Sequence, residues 1–340
     1  MDALTPKQLL FLSFLKRDLE RKGHYVILSC RRGMHLEDLA SALGEKPVII
    51  GGYGKTLASK LKADAERVRE LSEKVAEWDP QLLVSYPNPS AVRVAFGLGV
   101  RIVIYTDTPH AVHAHRLSIP LTDFLVHSRL IDPLCLRRYV LSKYTVIVRY
   151  NGVDELAWVN KLPVNDSILR ELGLRPGEYV VARPPEIHAA YYRHYDTDPV
   201  LKIIEKLSRE ITVVVLPRYE EDARRYGNTG CIVLKKLPLA ASLLRFSKLV
   251  ITGGGTLARE AALMGVPGIS VFPYKLELND ALSALGFPLY RIPSVKEAYK
   301  KAIDIITGKE TVDGKRIESL TRSLEEPIKP LLRILKYMMT

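Results

Sequence analysis

The sequence predicts an α/β protein of two domains, each a parallel sheet covered on both faces by helices. Short runs rich in Val, Ile and Leu alternate with longer amphipathic stretches, which is how a sheet buried on both sides reads. The alternation comes in two series, interrupted at Asn151-Gly152 and Lys161-Leu162-Pro163. A chain of 340 residues that is 47% hydrophobic can build a sizeable core in each.

Thr5-Pro6-Lys7-Gln8 is a helix start, with a capping Thr, Pro at the first helical position and Gln for a capping box, so a first helix is expected over about 6–22. A strand at His24–Ser29, a helix at Met34–Leu43, a strand at Val48–Ile50, a helix at Lys55–Trp78 and a strand at Leu82–Ser85 should follow. Next come a helix near 89–97, a strand at Arg101–Tyr105, a short helix after 110, and strands at Phe124–Val126 and Tyr144–Val148. The second series places strands near 179–182, 211–216, 231–234, 249–252, 268–272 and 289–292. These patterns suggest domains at 1–152 and 153–315, with a helical segment at 316–340 that packs back on the first domain and is broken or kinked at Pro327 and Pro330.

No apolar run approaches the roughly 20 residues that cross a bilayer, and Asp2 stands where a signal peptide would be basic. A cytoplasmic protein is expected, with room for a peripheral position at a membrane. Cys30, Cys135 and Cys231 are too few and too far apart for a disulfide framework or a zinc site and read as small hydrophobes. The net charge of +12 is spread over both halves, with 22 Lys and Arg against 15 Asp and Glu in 1–152 and 28 against 23 in 153–340. Such a field favours anionic partners without choosing among them, and no motif for nucleic-acid binding accompanies it.

The most informative segment is Lys248–Val271, which reads as strand, three-glycine turn, helix and strand. Gly253, Gly254 and Gly255 permit a sharp turn and a close approach, and the helix that follows opens with unpaired N–H groups, a setting for phosphate. Glu260, a little over one turn into the helix, is placed to accept hydrogen bonds from a ribose; a plain strand-to-helix turn is the alternative. Arg183, in Arg183-Pro-Pro-Glu186, and Arg218, in Leu216-Pro-Arg-Tyr-Glu220, each follow a strand and could neutralise a diphosphate, with Lys275 a further cation on the same rim.

In the first domain, Tyr105–Ala111 ends a strand, the place where open α/β sheets hold ligands, so Asp107 and His110 are candidates for acid/base work against the alternative of an Asx turn. His110, His113 and His115 lack the carboxylate pattern expected of a metal site. Gly51-Gly-Tyr-Gly-Lys-Thr56 suggests a P-loop but has Ile49 where the spacing requires Gly.

Thr106–Ala111, Arg149–Trp158, Leu216–Glu221 and Gly253–Glu260 together resemble the mainly archaeal family known as domain of unknown function 354. The resemblance covers nearly the whole chain. It implies a GT-B-like pair of Rossmann-like domains facing a cleft, similar to nucleotide-sugar glycosyltransferases and to UDP-N-acetylglucosamine 2-epimerases. The glycine segment also resembles the donor site of bacterial lipid-linked N-acetylglucosaminyltransferases; carried over by position, Gly254, Gly255 and Thr256 would meet phosphate and Glu260 the ribose. Members of the family start with a short strand ahead of the Asp found here at position 2, so that strand is expected to be missing or the true start to lie upstream of Met1.

The expected function is a metal-independent glycosyltransferase that needs no cofactor and moves a sugar from a nucleoside diphosphate, such as UDP, to an acceptor that includes lipid-linked ones. Asp107 or His110 would serve as base. A nucleotide-sugar 2-epimerase, with Glu186 recruited beside them, and a non-catalytic nucleotide or anion binder are the alternatives.

Overall fold

A computed structural model of the protein describes residues 1–186, 198–234 and 239–339. The chain divides into two compact units, Met1–Trp158 with Glu325–Thr340, and Val159–Leu324. The first unit opens with β1 (Asp2–Ala3), α1 (Pro6–Glu20), β2 (Ser29–Cys30), α2 (Leu36–Ala42), β3 (Val48–Ile49), α3 (Leu57–Trp78), β4 (Leu82–Ser85) and α4 (Pro89–Gly97). It continues through β5 (Arg101–Thr106), α5 (Val112–Ser118), β6 (Phe124–Ser128), α6 (Leu134–Arg137) and β7 (Val146–Tyr150). The second unit contains α7 (Ser167–Glu171), β8 (Tyr179–Arg183), α8 (Pro199–Leu207), β9 (Thr212–Val215), α9 (Glu220–Gly227), β10 (Ile232–Val233) and α10 (Ala241–Arg245). After these come β11 (Leu249–Thr252), α11 (Thr256–Leu263), β12 (Gly268–Ser270), α12 (Glu277–Leu285), β13 (Leu289–Arg291), α13 (Val295–Ile306) and α14 (Gly314–Ser323); α15 (Ile328–Met339) belongs to the first unit.

Each sheet is parallel throughout its described pairings. The first has the order β3-β2-β1-β4-β5-β6-β7 and the second β10-β9-β8-β11-β12-β13. Both therefore grow outward from their first strand in one direction and then resume on its other side. The point of reversal lies between β1 and β4 in one sheet and between β8 and β11 in the other, and loops at the carboxyl ends of those strands diverge there to leave room for a ligand.

The expected loss of the first strand is not what the structure shows. Asp2–Ala3 is a strand, it pairs with both β2 and β4, and it therefore lies inside its sheet rather than at an edge. The apolar signal that usually marks a central strand is absent because a polar cluster takes its place. Asp2 accepts hydrogen bonds from Arg67 Nη2 at 2.7 and 2.8 Å, Ser29 Oγ at 2.6 Å and Asn88 Nδ2 at 2.5 Å, all buried. Arg67 also donates through Nε to the Ile50 carbonyl at 3.0 Å, tying α3 to the end of β3. A buried carboxylate is tolerable only with such partners.

Three further expectations shift. The strand expected at His24–Ser29 forms its ladder only at Ser29–Cys30; ahead of it, single hydrogen bonds reach the Leu28 carbonyl from the Val48 amide at 2.9 Å and the Ile27 carbonyl from the Met1 amino group at 2.7 Å. Thr5 caps α1 by accepting from the Gln8 amide at 3.3 Å, but Gln8 reaches back to the Leu4 amide at 2.7 Å rather than to the cap residue itself. The break expected near the carboxyl end falls between α14 and α15 at Pro327, while Pro330 sits in the first turn of α15, where no intrahelical donor is lost.

The second unit's core is built from Val180, Ala182, Val213, Val215, Leu249, Ile251 and Ile269 on the sheet, with Val200, Ile203, Ile204 and Leu207 of α8 and Ala298, Ala302 and Ile305 of α13 packed on it. In the first unit Phe11 of α1 meets Tyr86 and Tyr105 edge-on, with ring centroids 5.3 and 5.0 Å apart. Cys30 is buried in β2, and burial pushes its thiol up to about 12; Cys135 and Cys231 are partly exposed.

Candidate functional site

In the second unit the candidate site begins with the backbone after β11. The three glycines have no positive φ, so their left-handed freedom is not what the site uses. Close approach is. A Cβ on Gly253 would lie 2.5 Å from both Cα and Cβ of Pro185, in the loop after β8, and one on Gly255 would lie 2.8 Å from Arg259 Nη1 and 2.9 Å from Asn279 Oδ1. The Gly253 amide donates to the Arg183 carbonyl at 3.1 Å, and the Gly254 amide to Thr252 Oγ1 at 3.2 Å. No side chain caps α11, whose N-cap residue is Gly255, so the positive end of its dipole is not neutralised by a capping group. Within the helix, Arg259 reaches Asn279 Oδ1 at 3.0 Å and Thr256 Oγ1 at 3.4 Å.

The sequence-predicted arginines flank this turn. Arg183 ends β8, beside β11 in the sheet. Arg218 follows β9 and is held by its Nε donating to the Pro184 carbonyl at 2.9 Å, with Nη1 3.6 Å from Glu186 Oε2. A Cβ on Gly254 would lie 3.9 Å from Arg218 Nη2, which puts that guanidinium over the middle glycine. Asp222 fixes the same loop by accepting from the Arg218 and Tyr219 amides at 3.0 and 3.2 Å, and Tyr219 Oη donates to Glu186 at 2.6 Å. Burial, followed by the like charge of Arg218, pulls the Arg183 pKa down to about 9, against the opposing pull of Glu260, Glu186 and Asp222. Arg183 is still a cation at neutral pH. Two guanidiniums are thus held close enough to disfavour each other, and an anion placed between them would be favoured.

Glu260 is buried on α11, and its charge acts on Arg183. Lys275 is exposed in the loop after β12, on the same carboxyl edge of the sheet. Four loops, after β8, β9, β11 and β12, thereby bring the predicted cations and glycines to one edge of one sheet.

In the first unit Asp107, in the loop after β5, forms an ion pair with Lys7 of α1, and its carboxylate is only 8% exposed. Lys7 Nζ also lies 3.0 Å from Asp154 Oδ2 and 4.0 Å from Glu155 Oε1. Tyr86 and Tyr150 donate to the two oxygens of Asp154, each at 2.5 Å. Burial and then the Asp154 charge push both phenols well above the usual tyrosine range, which keeps them protonated as donors. Thr108 Oγ1 adds a hydrogen bond to Asp107 at 2.8 Å. His110 lies partly exposed in the same loop. It acts electrostatically on His115, whose own pKa is lowered to about 4, chiefly by burial.

Lys7, Tyr86, Tyr150, Asp154 and Glu155 escaped the sequence reading as a group. Asp154 and Glu155 lie within the Arg149–Trp158 motif, and Lys7 in the first turn after β1, so each stood in a noticeable place, but only the fold assembles them around Asp107.

The family model described as proteins of unknown function, DUF354, matches residues 3–329. The chain belongs to this family. A relative at 30% identity over 326 residues is an uncharacterized protein of Methanocaldococcus jannaschii, MJ0665, the match covering 93% of this chain and 91% of that one. Among solved structures, the UDP-GlcNAc 2-epimerase of M. jannaschii in complex with UDP-GlcNAc and UDP superposes with a TM-score of 0.69 at 14% identity, covering 99% of this chain and 100% of that one. The spinosyn forosaminyltransferase SpnP superposes with a TM-score of 0.61 at 15% identity, covering 100% and 99%. At such identities the likeness is one of fold. The DUF354 protein has a GT-B-like architecture of two parallel sheets flanked by helices, with a helix at the carboxyl terminus. Its fold neighbours include both nucleotide-sugar epimerases and glycosyltransferases.

Proposed function

We propose that the second unit binds the diphosphate of a nucleoside-diphosphate sugar and that the protein is a glycosyltransferase. The observation that carries this reading is the pairing of Arg183 and Arg218 beside the uncapped amino end of α11. In this reading the diphosphate meets the Gly254, Gly255 and Thr256 segment, Arg183 and Arg218 neutralise it, Lys275 adds a third cation, and Glu260 accepts from the ribose hydroxyls. UDP is the nucleotide of choice because fold neighbours are described with UDP or UDP-GlcNAc bound.

Sugar transfer breaks the bond between the anomeric carbon and the diphosphate oxygen, so negative charge grows on the leaving group. Cations and amide dipoles already in place stabilise that growing charge more than the ground state, which lowers the barrier. The chain's own guanidiniums supply this stabilisation, and we assign no metal or cofactor to it. The acceptor hydroxyl loses a proton to a base of the first unit. Asp107 suits that role because it stands at the carboxyl end of β5, oriented by its ion pair with Lys7, and His110 of the same loop is the alternative base.

The second reading, a 2-epimerase, draws on the whole-chain fold likeness to UDP-GlcNAc 2-epimerases. Incubation with UDP-N-acetylglucosamine in deuterated water, without acceptor, separates the two. A transferase leaves the sugar carbons unlabelled; deuterium at the sugar's second carbon would overturn the transferase reading.

A further inference from the structure

The carboxyl edge of β2 and β3 carries a surface that the nucleotide-sugar reading does not use. The two loops there are joined by the Arg32 amide donating to the Gly51 carbonyl at 3.0 Å. Gly54 is packed so closely on the start of α3 that a Cβ would lie 2.2 Å from the Ser59 carbonyl carbon. Thr56 and Ser59 form a capping box at 3.1 and 2.8 Å, so the helix begins firmly in place. On this support Leu57 and Leu61, one turn apart and on one face, are 69% and 72% exposed. Tyr53 is exposed beside them with Arg31 4.3 Å and Lys60 5.1 Å from its ring centroid. Single exposed leucines are ordinary, but an apolar pair on one face of a firmly started helix, with a cation-bearing Tyr53 in the loop before it, is a recognisable interaction surface.

Its charge points to the partner. Residues 51–63 contain Lys55, Lys60 and Lys62 and no Asp or Glu, while in the neighbouring segment after β2 Arg31 and Arg32 are offset by Glu37 and Asp38. Residues 64–78 of the same helix contain five acidic residues against three basic ones. The helix is thus cationic and apolar at its start and anionic beyond, which suits one end against a negative surface and the other away from it. We propose that this surface, built on Tyr53, Leu57, Leu61, Lys55, Lys60 and Lys62, docks on an anionic lipid bilayer. The leucines enter the boundary between headgroups and acyl chains while the lysines meet the anionic headgroups. Contacts of this kind add up to reversible binding, with each lysine contributing roughly fivefold in affinity. This inference rests on the first unit alone and does not depend on the nucleotide-sugar reading.

Co-sedimentation of the full chain with vesicles of phosphatidylcholine, with or without phosphatidylglycerol, tests it. The wild type should sediment with the mixed vesicles, stay in solution with phosphatidylcholine alone, and be released by high salt. Leu57→Ser with Leu61→Ser, and separately Lys55→Glu with Lys62→Glu, should each lose that binding while keeping the wild-type melting temperature, since all four side chains are exposed. Wild type remaining in solution with the mixed vesicles, or both double variants binding as well as wild type, would overturn the proposal. So would light scattering that shows a dimer which the leucine variant converts to a monomer, because a second copy of the chain would then be the occupant.

Discussion

Replacement of Arg218 by Ala tests the diphosphate assignment at the residue the structure ties down most firmly. Its guanidinium is anchored on the Pro184 carbonyl at 2.9 Å, lies 3.6 Å from Glu186, and sits over Gly254. A hydrogen bond between a charged donor and an anionic acceptor contributes about 1.5–3 kcal/mol. Loss of Arg218 should therefore raise the Kd of a nucleoside diphosphate by roughly tenfold to a hundredfold. The unliganded protein should lose little stability, because the same change removes the like charge that disfavours Arg183, whose pKa should move back up. Isothermal titration with UDP, UMP and uridine reads the effect: the loss should be largest for UDP and negligible for uridine. A folded Arg218→Ala protein with wild-type UDP affinity would remove Arg218 from the diphosphate site.

Other outcomes follow from individual contacts. Glu260→Ala should weaken binding of UDP more than of its 2′-deoxy counterpart, and equal losses for the two would remove Glu260 from the ribose. Gly253→Ala forces a Cβ to within 2.5 Å of Pro185; overpacking of this kind costs about 1–3 kcal/mol, to be seen as a lower urea midpoint. Asp2→Ala leaves Arg67 buried without its carboxylate, and breaking a buried pair costs about 3–5 kcal/mol, so the variant should melt far below wild type. His115 bonds Thr106 at 3.0 Å and has its pKa lowered to about 4 from 6.5 by burial. Because the unfolded chain takes up this proton first, the stability from the neutral ring is complete above about pH 6.5 and lost as pH falls towards 4. His115→Asn should remove on the order of 3 kcal/mol of the acid-side slope, measured by denaturation across that window.

Most strands and helices were legible because a parallel sheet buried on both faces writes its strands as continuous apolar runs. β5, β6, β8, β9 and β11 are such runs, and each stands within a residue or two of where the pattern placed it. β1 was not legible, since a two-residue strand whose first member is a buried Asp has no hydrophobic signature; its place is set by Arg67 and Asn88, which lie 65 and 86 residues away. The glycine turn was visible, but the use of its glycines was not. Their role is to let Pro185, Arg259 and Asn279 come close, and those contacts are made across elements that the sequence separates. Arg183 and Arg218 could be placed at strand ends from the sequence alone, whereas their mutual repulsion needed the strand order. The carboxylates around Lys7 were hidden for the same reason: Asp107 and Asp154 come from distant loops, and only the sheet topology brings them to one cation.

The central claim, that the second unit holds a nucleoside diphosphate on Arg183, Arg218 and the start of α11, is tested most directly by titrating the wild-type protein with UDP while following its melting temperature. A ligand that binds only the folded state must raise that temperature. A saturable rise is expected with UDP and with UDP-N-acetylglucosamine, and in Arg218→Ala the same rise should need roughly tenfold to a hundredfold more UDP. No rise across the nucleoside diphosphates and their sugars would contradict it.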